Sequence, residues 1–260
     1  MPRAMVLVRD RMKSPPITVD EGASLEEIAR LFEARSISAA PVLSKGRLVG
    51  VVSTTDVLRA LTAGHDEPPT AAMLMSAPPV TATPDASLDE AARRLVAGRV
   101  HRLVVVEGDR AVGVLSAPDI LAEGVSRNIK DPIRSIVSQP VETIDLGESI
   151  QAAVTRLADA NVHGLVVVDR GAPVGVFTHR EAIAARRLAP MLRGQPVEHA
   201  MSYQVVCLDI DTPISRAVSY GTSMSVRRFL ATEDGRPAGI VSCIDLVDVL
   251  ARAPEATGAA

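Results

Sequence analysis

Gly50-Val51-Val52-Ser53-Thr54-Thr55-Asp56 is one of four copies of a pattern that decides the fold of this 260-residue chain. The pattern reads glycine, two apolar residues, a hydroxyl residue, two free positions and an acid, and it begins again at Gly113, Gly175 and Gly239. The successive glycines are 63, 62 and 64 residues apart, and sliding the chain by these offsets aligns the copies without an internal gap. A repeat of this length predicts four copies of one structural unit.

The second copy shows what the unit contains. Ser87 and Glu90 form a capping box at the start of a helix, and apolar residues then recur at helical spacing. Residues 103–106 are typical of a buried strand, and residues 111–115 of a strand that returns after a tight turn. Asp119 lies in the first turn of a second helix. The predicted order is strand, helix, strand, strand and helix.

A unit of about 60 residues buries its sheet and helices poorly when it is alone. We therefore expect the units to pair, in modules of about 1–124 and 130–252. The expected units span residues 1–62, 70–124, 130–188 and 194–252, and residues 253–260 form a tail.

Composition narrows the classes of function. Apolar residues make up 47% of the chain and aromatic residues 2%, so the core is expected to be aliphatic. A net charge of −3 argues against a protein that coats nucleic acid.

No apolar run approaches the roughly 20 residues that span a bilayer, and no signal peptide is recognised, so a cytoplasmic protein without membrane contact is expected. No pair of histidines or cysteines has metal-ligand spacing, and no catalytic motif is found, so we expect neither a metal nor an enzyme.

Two stretches carry a resemblance to a known family, Val100-His101-Arg102-Leu103-Val104-Val105-Val106 and residues 113–121. They resemble the CBS domain, and the tandem pairs resemble Bateman modules. The resemblance implies an α/β fold of four α+β CBS units, paired into two Bateman modules that form a flat disk. The second repeat is similar to the last repeat of the γ subunit of AMP-activated protein kinase, and the whole chain is similar to archaeal stand-alone CBS proteins.

The closing pattern places a hydroxyl and backbone N–H groups at a helix N-terminus, which suits phosphate or another anion. In the family, the hydroxyl holds phosphate, the acid holds ribose, and the backbone beside the second strand frames adenine. The resemblance implies nucleotide-binding roles for Ser38, Ala39, Ser53, Asp56, His101, Arg102, Ser116, Asp119, Arg227, Arg228, Ser242 and Asp245. The third repeat has Glu181 and Gly164 at the corresponding positions, so its site is expected to be weak or empty. A hydroxyl residue followed by an acid is also a simple helix cap, and this alternative stays open for each repeat.

The first functional hypothesis is a non-catalytic regulatory protein that senses the energy state. It would bind the adenine nucleotides AMP, ADP or ATP and control a separate effector protein, as a monomeric disk or a homodimer. S-adenosylmethionine is a further candidate ligand, although His101 and Arg102 favour one that carries phosphate.

The alternative is a ribosome-associated dormancy factor, active in ribosome hibernation, that docks on ribosomal RNA and protein. Arginine outnumbers lysine by 25 to 3, and basic side chains suit the phosphates of folded RNA. The candidate RNA contacts are Arg9, Arg11, Lys13, Arg180, Arg186, Arg187 and Arg193.

Overall fold

All four repeats form the predicted order of strand, helix, strand, strand and helix. The structure is a computed structural model that describes residues 5–63, 67–124, 128–160, 162–186, 193–224 and 226–252. In repeat 1 the elements are β1 (Val19–Asp20), α1 (Leu25–Arg35), β2 (Ala39–Ser44), β3 (Arg47–Ser53) and α2 (Thr54–Ala63). A short helix, α3 (Ala71–Leu74), leads to repeat 2, which has β4 (Thr81–Ala82), α4 (Leu88–Ala97), β5 (Arg102–Glu107), β6 (Arg110–Ser116) and α5 (Ala117–Gly124).

Repeats 3 and 4 follow the same order. Repeat 3 has β7 (Thr143–Asp145), α6 (Ile150–Asp159), β8 (Gly164–Asp169), β9 (Ala172–Thr178) and α7 (His179–Arg186). Repeat 4 has β10 (Cys207–Asp209), α8 (Ile214–Ser223), β11 (Arg228–Glu233), β12 (Arg236–Ser242) and α9 (Cys243–Arg252). In each repeat the first strand pairs in parallel with the second, and the second pairs antiparallel with the third.

Local sequence explains how the first helix of a repeat begins and which face it buries. The Ser87 side chain accepts a hydrogen bond from the backbone N–H of Glu90, as the capping pattern predicts. Ser24 and Ser149 cap the first helices of repeats 1 and 3 in the same way. In α4 the residues Leu88, Ala91, Ala92 and Leu95 are at most 6% exposed and Val96 is partly buried, so they form the expected stripe.

The segment before the first strand of each repeat crosses to the other repeat of its pair. Lys13, which precedes β1, forms a bridge with Val114 in β6 of repeat 2, and Ser76, which precedes β4, forms one with Val51 in β3 of repeat 1. Ser138 and Ser202 make the equivalent exchange between repeats 3 and 4. The exchanges stay within residues 5–124 and 128–252, which agrees with the expected pairing of repeats.

The exchanged segments also explain why each closing pattern starts with glycine. A Cβ atom on Gly50 would lie 2.5 Å from the sulfur of Met75, and one on Gly175 would lie 2.7 Å from the carbonyl oxygen of Ser202. Gly113 and Gly239 have equally close neighbours in the segments that cross over to them. Only a residue without a side chain leaves room for the crossing segment.

The four repeats close into a ring through two kinds of interface. Sheet strands β3 and β6 contact each other between repeats 1 and 2, and β9 and β12 contact each other between repeats 3 and 4. Helices join the other neighbours, because one hydrophobic core is shared by repeats 1 and 3 and another by repeats 2 and 4. Phe177 is fully buried in the first shared core and Phe229 in the second. Each core therefore spans both modules. Within the described ranges, no helix has the length and apolar character needed to cross a membrane.

Candidate functional site

One end of every sheet gathers the start of a strand, the end of a strand and the start of a helix. The second strands begin at Ala39, Arg102, Gly164 and Arg228, and these residues pair with the closing hydroxyl residues Ser53, Ser116, Thr178 and Ser242 respectively. The residues just before those strands are Ser38, His101, His163 and Arg227, which the repeat offsets make equivalent. The same three positions of the unit therefore lie at the same place in each repeat.

These equivalent residues meet where the four repeats come together. The Arg102 guanidinium donates a hydrogen bond to the Ser38 hydroxyl at 2.7 Å, and the Arg227 guanidinium donates to the same oxygen at 2.9 Å. The rings of His101 and His163 are in edge contact, with centroids 5.6 Å apart. Side chains of all four repeats thus contact one another in one cluster, which we call the basic centre: Ser38, His101, Arg102, His163, His179, Arg227 and Arg228.

His179 belongs to the basic centre although sequence analysis did not select it. Its ring centroid lies 5.5 Å from that of His163, and its Nδ1 lies 3.2 Å from the Thr55 hydroxyl of repeat 1. It is 6% exposed and is also hydrogen-bonded to the backbone of Val162. The repeat offsets could have identified it, because they align His179, the first residue of its helix, with small or neutral residues in the other repeats.

Electrostatic crowding is the main property of the basic centre. Burial, together with Arg228 and other neighbouring cations, lowers the pKa of His101 to about 4. Burial and nearby cationic groups lower the pKa values of His163 and His179 to about 4 as well. Burial and Arg227 lower the pKa of Arg102 to about 10, and the same two causes lower that of Arg228. The three histidines are therefore neutral at pH 7, whereas the arginines remain charged.

The charge of the arginines is not balanced by ion pairs. Within the described part of the chain, no carboxylate lies within 4 Å of the guanidinium groups of Arg102, Arg227 or Arg228. Asp119 and Asp245 act on Arg102 and Arg228 only as more distant charges. Partly buried cations without counterions favour an anion, and phosphate is a good match for guanidinium groups.

The closing patterns adopt the same local geometry in all four repeats. The backbone N–H and the hydroxyl of Ser53 both donate to one oxygen of Asp56, at 2.8 and 2.6 Å. Ser116 with Asp119 and Ser242 with Asp245 make the same pair of hydrogen bonds. Each acid is therefore a helix cap, as the alternative of a simple cap predicts. The second carboxylate oxygen of Asp119 lies 3.6 Å from Lys13 Nζ, whereas within the described residues those of Asp56 and Asp245 have no ion-pair partner.

The third repeat keeps this cap despite its longer acid. Glu181 accepts hydrogen bonds from the backbone N–H and the hydroxyl of Thr178. What this repeat lacks is the arginine of the second and fourth repeats, because Gly164 starts its second strand. It therefore differs from the second and fourth sites in charge more than in cap geometry.

The basic residues considered for RNA contact are placed differently. Arg9 pairs with Asp85, Arg11 pairs with Glu123, and Lys13 Nζ lies 3.6 Å from Asp119. Each of these three cations therefore has an acid of repeat 2 beside it, which reduces the net positive charge of this surface. Arg180 is exposed and Arg193 is partly buried, while the Arg186 side chain and the whole of Arg187 lie outside what the structure describes.

A search of the described residues for three or more histidine, cysteine, aspartate or glutamate side chains arranged to hold a metal ion finds none. The cysteine thiols are free, and Cys243 is buried. Burial raises the pKa of Cys243 to about 11, so this thiol beside Arg228 is neutral at pH 7.

Comparisons with known proteins agree with the repeat pattern. The family described as CBS domain matches residues 8–63, 71–126, 133–187 and 197–252. The CBS domain-containing protein YhcV of Bacillus subtilis is 25% identical over 160 residues, which cover 61% of this chain and all of that protein. The protein MJ1225 of Methanocaldococcus jannaschii is 25% identical over 191 residues, which cover 68% of each chain.

Solved structures show the same fold. The crystal structure of MJ1225, which is described as a proposed archaeal homologue of γ-AMPK, superposes with a TM-score of 0.81. The superposition covers 94% of this chain and 99% of that chain at 14% identity. A conserved protein from Pyrococcus horikoshii superposes with a TM-score of 0.64 over 94% of this chain and all of its own, at 22% identity.

Proposed function

The chain belongs to the CBS domain family, and from this premise we propose that it is a non-catalytic regulatory protein that binds adenine nucleotides. AMP, ADP or ATP would lie in the clefts beside the closing patterns, with the phosphate groups directed to the basic centre. The observation that carries the proposal is the group of arginines from repeats 2 and 4 that has no carboxylate within ion-pair distance in the described residues.

The geometry supports distinct roles for the parts of the ligand. Arg102, Arg227 and Arg228 would hold phosphate, and the N-termini of α2, α5 and α9 would add the favourable end of the helix dipole. The second carboxylate oxygens of Asp56 and Asp245 would accept the ribose hydroxyls, and that of Asp119 would do so once the ribose displaces Lys13. The third repeat would be a weaker site than the second and fourth, because Gly164, like Ala39 of the first repeat, contributes no charge to it.

The ring suggests how occupancy would become a signal. Because the phosphate groups would meet side chains from all four repeats, binding would add contacts between modules that already meet at their helical cores and in the basic centre. A ligand shifts such an equilibrium when its affinity differs between two arrangements of the ring. We propose that a separate effector protein recognises one of these arrangements.

We do not extend the proposal to ribosomal RNA. Arg9, Arg11 and Lys13 are paired with acids of repeat 2 and so are poorly placed to bind backbone phosphates. S-adenosylmethionine fits the basic centre less well than a nucleotide does, because its sulfonium group adds a positive charge where cations already repel one another.

Calorimetric titration with AMP, adenosine and S-adenosylmethionine tests the proposal. Each charge-assisted hydrogen bond contributes about 1.5–3 kcal/mol, so AMP should bind at least about 10-fold more tightly than adenosine. S-adenosylmethionine should bind more weakly than AMP. Equal affinities for AMP and adenosine would show that the basic centre does not hold the phosphate, and no heat with any adenine compound would refute the proposed function.

A further inference from the structure

Three histidines form a continuous row within the basic centre. The ring of His163 is in edge contact with His101 on one side and with His179 on the other, at centroid distances of 5.6 and 5.5 Å. His179 is 6% exposed and is fixed by Thr55 and by the backbone of Val162, whereas His163 is open to solvent. Protons can therefore reach the row through His163.

The groups that face the row are almost all cationic. His101 faces Arg228, Arg102 and Arg227, and His163 faces Arg228. His179 faces Arg228 and Arg59 as well as the hydroxyl of Thr55. Asp119 and Asp245 act on Arg102 and Arg228, and the neighbouring thiol of Cys243 stays protonated.

An anion that enters this environment reverses the sign of the local field. In the free protein, burial and the arginines favour neutral imidazole, which can donate only one hydrogen bond. A bound dianion neutralises the arginines and favours imidazolium, which donates from both ring nitrogens. The row lies against Arg102 and Arg228, where we place the phosphate, so the anion and the imidazoles would contact the same small volume.

We propose that the histidine row takes up at least one proton when an anion binds at the basic centre, so that affinity for phosphorylated ligands rises as the pH falls. For adenine nucleotides this inference rests on the proposed function, but for a simple anion it does not. The protein would then respond to acidification as well as to nucleotide concentration.

The direction of the pH dependence follows from proton linkage. In the free protein the histidine pKa values are about 4, below their ordinary value of 6.5. A bound anion raises them, so the complex holds more protons than the free protein between the two pKa values. If one imidazole in the complex has a pKa of about 6, the affinity rises about fourfold from pH 7.5 to 5.5.

The test uses the full chain and two readouts. Histidine ring NMR titrations give the pKa of each histidine in the free protein, with saturating AMP and with saturating sulfate. Sulfate serves as the second probe because its charge does not change between pH 5.5 and 7.5. We expect the pKa of His101 or His163 to rise by about two units with either ligand, and sulfate affinity to rise about fourfold across this range.

Matched variants separate the row from general charge effects. In the double variant His101→Gln, His163→Gln, the pH dependence of sulfate affinity should fall by at least half. The control His199→Gln should keep the full dependence, because His199 is exposed beside Glu198 in another part of repeat 4.

Each outcome decides the proposal. If AMP binds while every histidine pKa stays unchanged, the proton coupling is wrong and the proposed function stands. If AMP does not bind, the proposed function fails, and sulfate then decides the coupling. A rise in histidine pKa with sulfate supports it, and the absence of that rise, or of sulfate binding, overturns it.

Discussion

The double variant Arg102→Gln, Arg228→Gln should bind AMP at least about 100-fold more weakly than the unmodified protein, while folding at least as stably in the absence of ligand. Each guanidinium would lose a charge-assisted contact with phosphate, at about 1.5–3 kcal/mol per contact. The same substitutions remove two cations whose pKa values are lowered by burial and by their neighbour Arg227, so they relieve repulsion in the free protein. Calorimetry measures the affinity, and thermal denaturation without ligand measures the stability.

A loss of AMP affinity without a loss of stability distinguishes a binding role of the two arginines from a structural one. A variant that lost affinity because it unfolded would melt at a lower temperature. The matched control is Arg93→Gln on the exposed face of α4, which should change neither quantity. Unchanged AMP affinity in the double variant would contradict the assignment of phosphate to the basic centre.

Phe229→Ala should lower the free energy of unfolding by about 3–5 kcal/mol, the usual cost of truncating a fully buried phenylalanine. Phe229 is completely buried in the core that repeats 2 and 4 share, so the cavity should weaken both repeats. Urea denaturation measures the stability, and hydrogen exchange measures which amides lose protection. The strands β5 and β6 of repeat 2 should lose protection together with β11 and β12 of repeat 4.

The control for this prediction is Tyr203→Ala, because Tyr203 is an aromatic residue that is 70% exposed. Its change in unfolding free energy should stay within about 0.5 kcal/mol. Loss of protection confined to repeat 4 in Phe229→Ala would show that the two repeats do not share one cooperative core.

Much of the fold could be predicted because the signals were local and repeated four times. Ser87 and Glu90 marked the start of α4, and the closing pattern marked the step from strand to helix in each repeat. The gapless offsets then required the same elements in every copy. Pairing of repeats within each module was expected from the size of one unit, and the exchanged segments confirm it.

The sequence patterns did not predict which repeats of the two modules pack against each other. A buried stripe on α4 or α9 shows that a helix packs against something, but not which repeat supplies the partner. The sequence therefore did not reveal that repeat 1 shares a core with repeat 3 and repeat 2 with repeat 4. It also left the glycines of the closing pattern unexplained, since the segments that pack on them come from another repeat.

The candidate site was also predictable only in part. Ser38, His101, Arg102, Arg227 and Arg228 were selected from a resemblance, and the structure brings them together across repeats. Their roles in binding remain predictions. His179 was missed because a histidine at a helix start has no distinctive local signal, and its importance comes from contacts with two other repeats.

The most direct test of the central claim is the position of the AMP phosphate in a crystal structure of the complex. The account predicts phosphate oxygens within hydrogen-bond distance, at most about 3.2 Å, of the guanidinium groups of Arg102, Arg227 or Arg228. The ribose hydroxyls should lie against the carboxylate of Asp56, Asp119 or Asp245. A phosphate that points away from the basic centre, with its arginines making no ligand contact, would contradict the account.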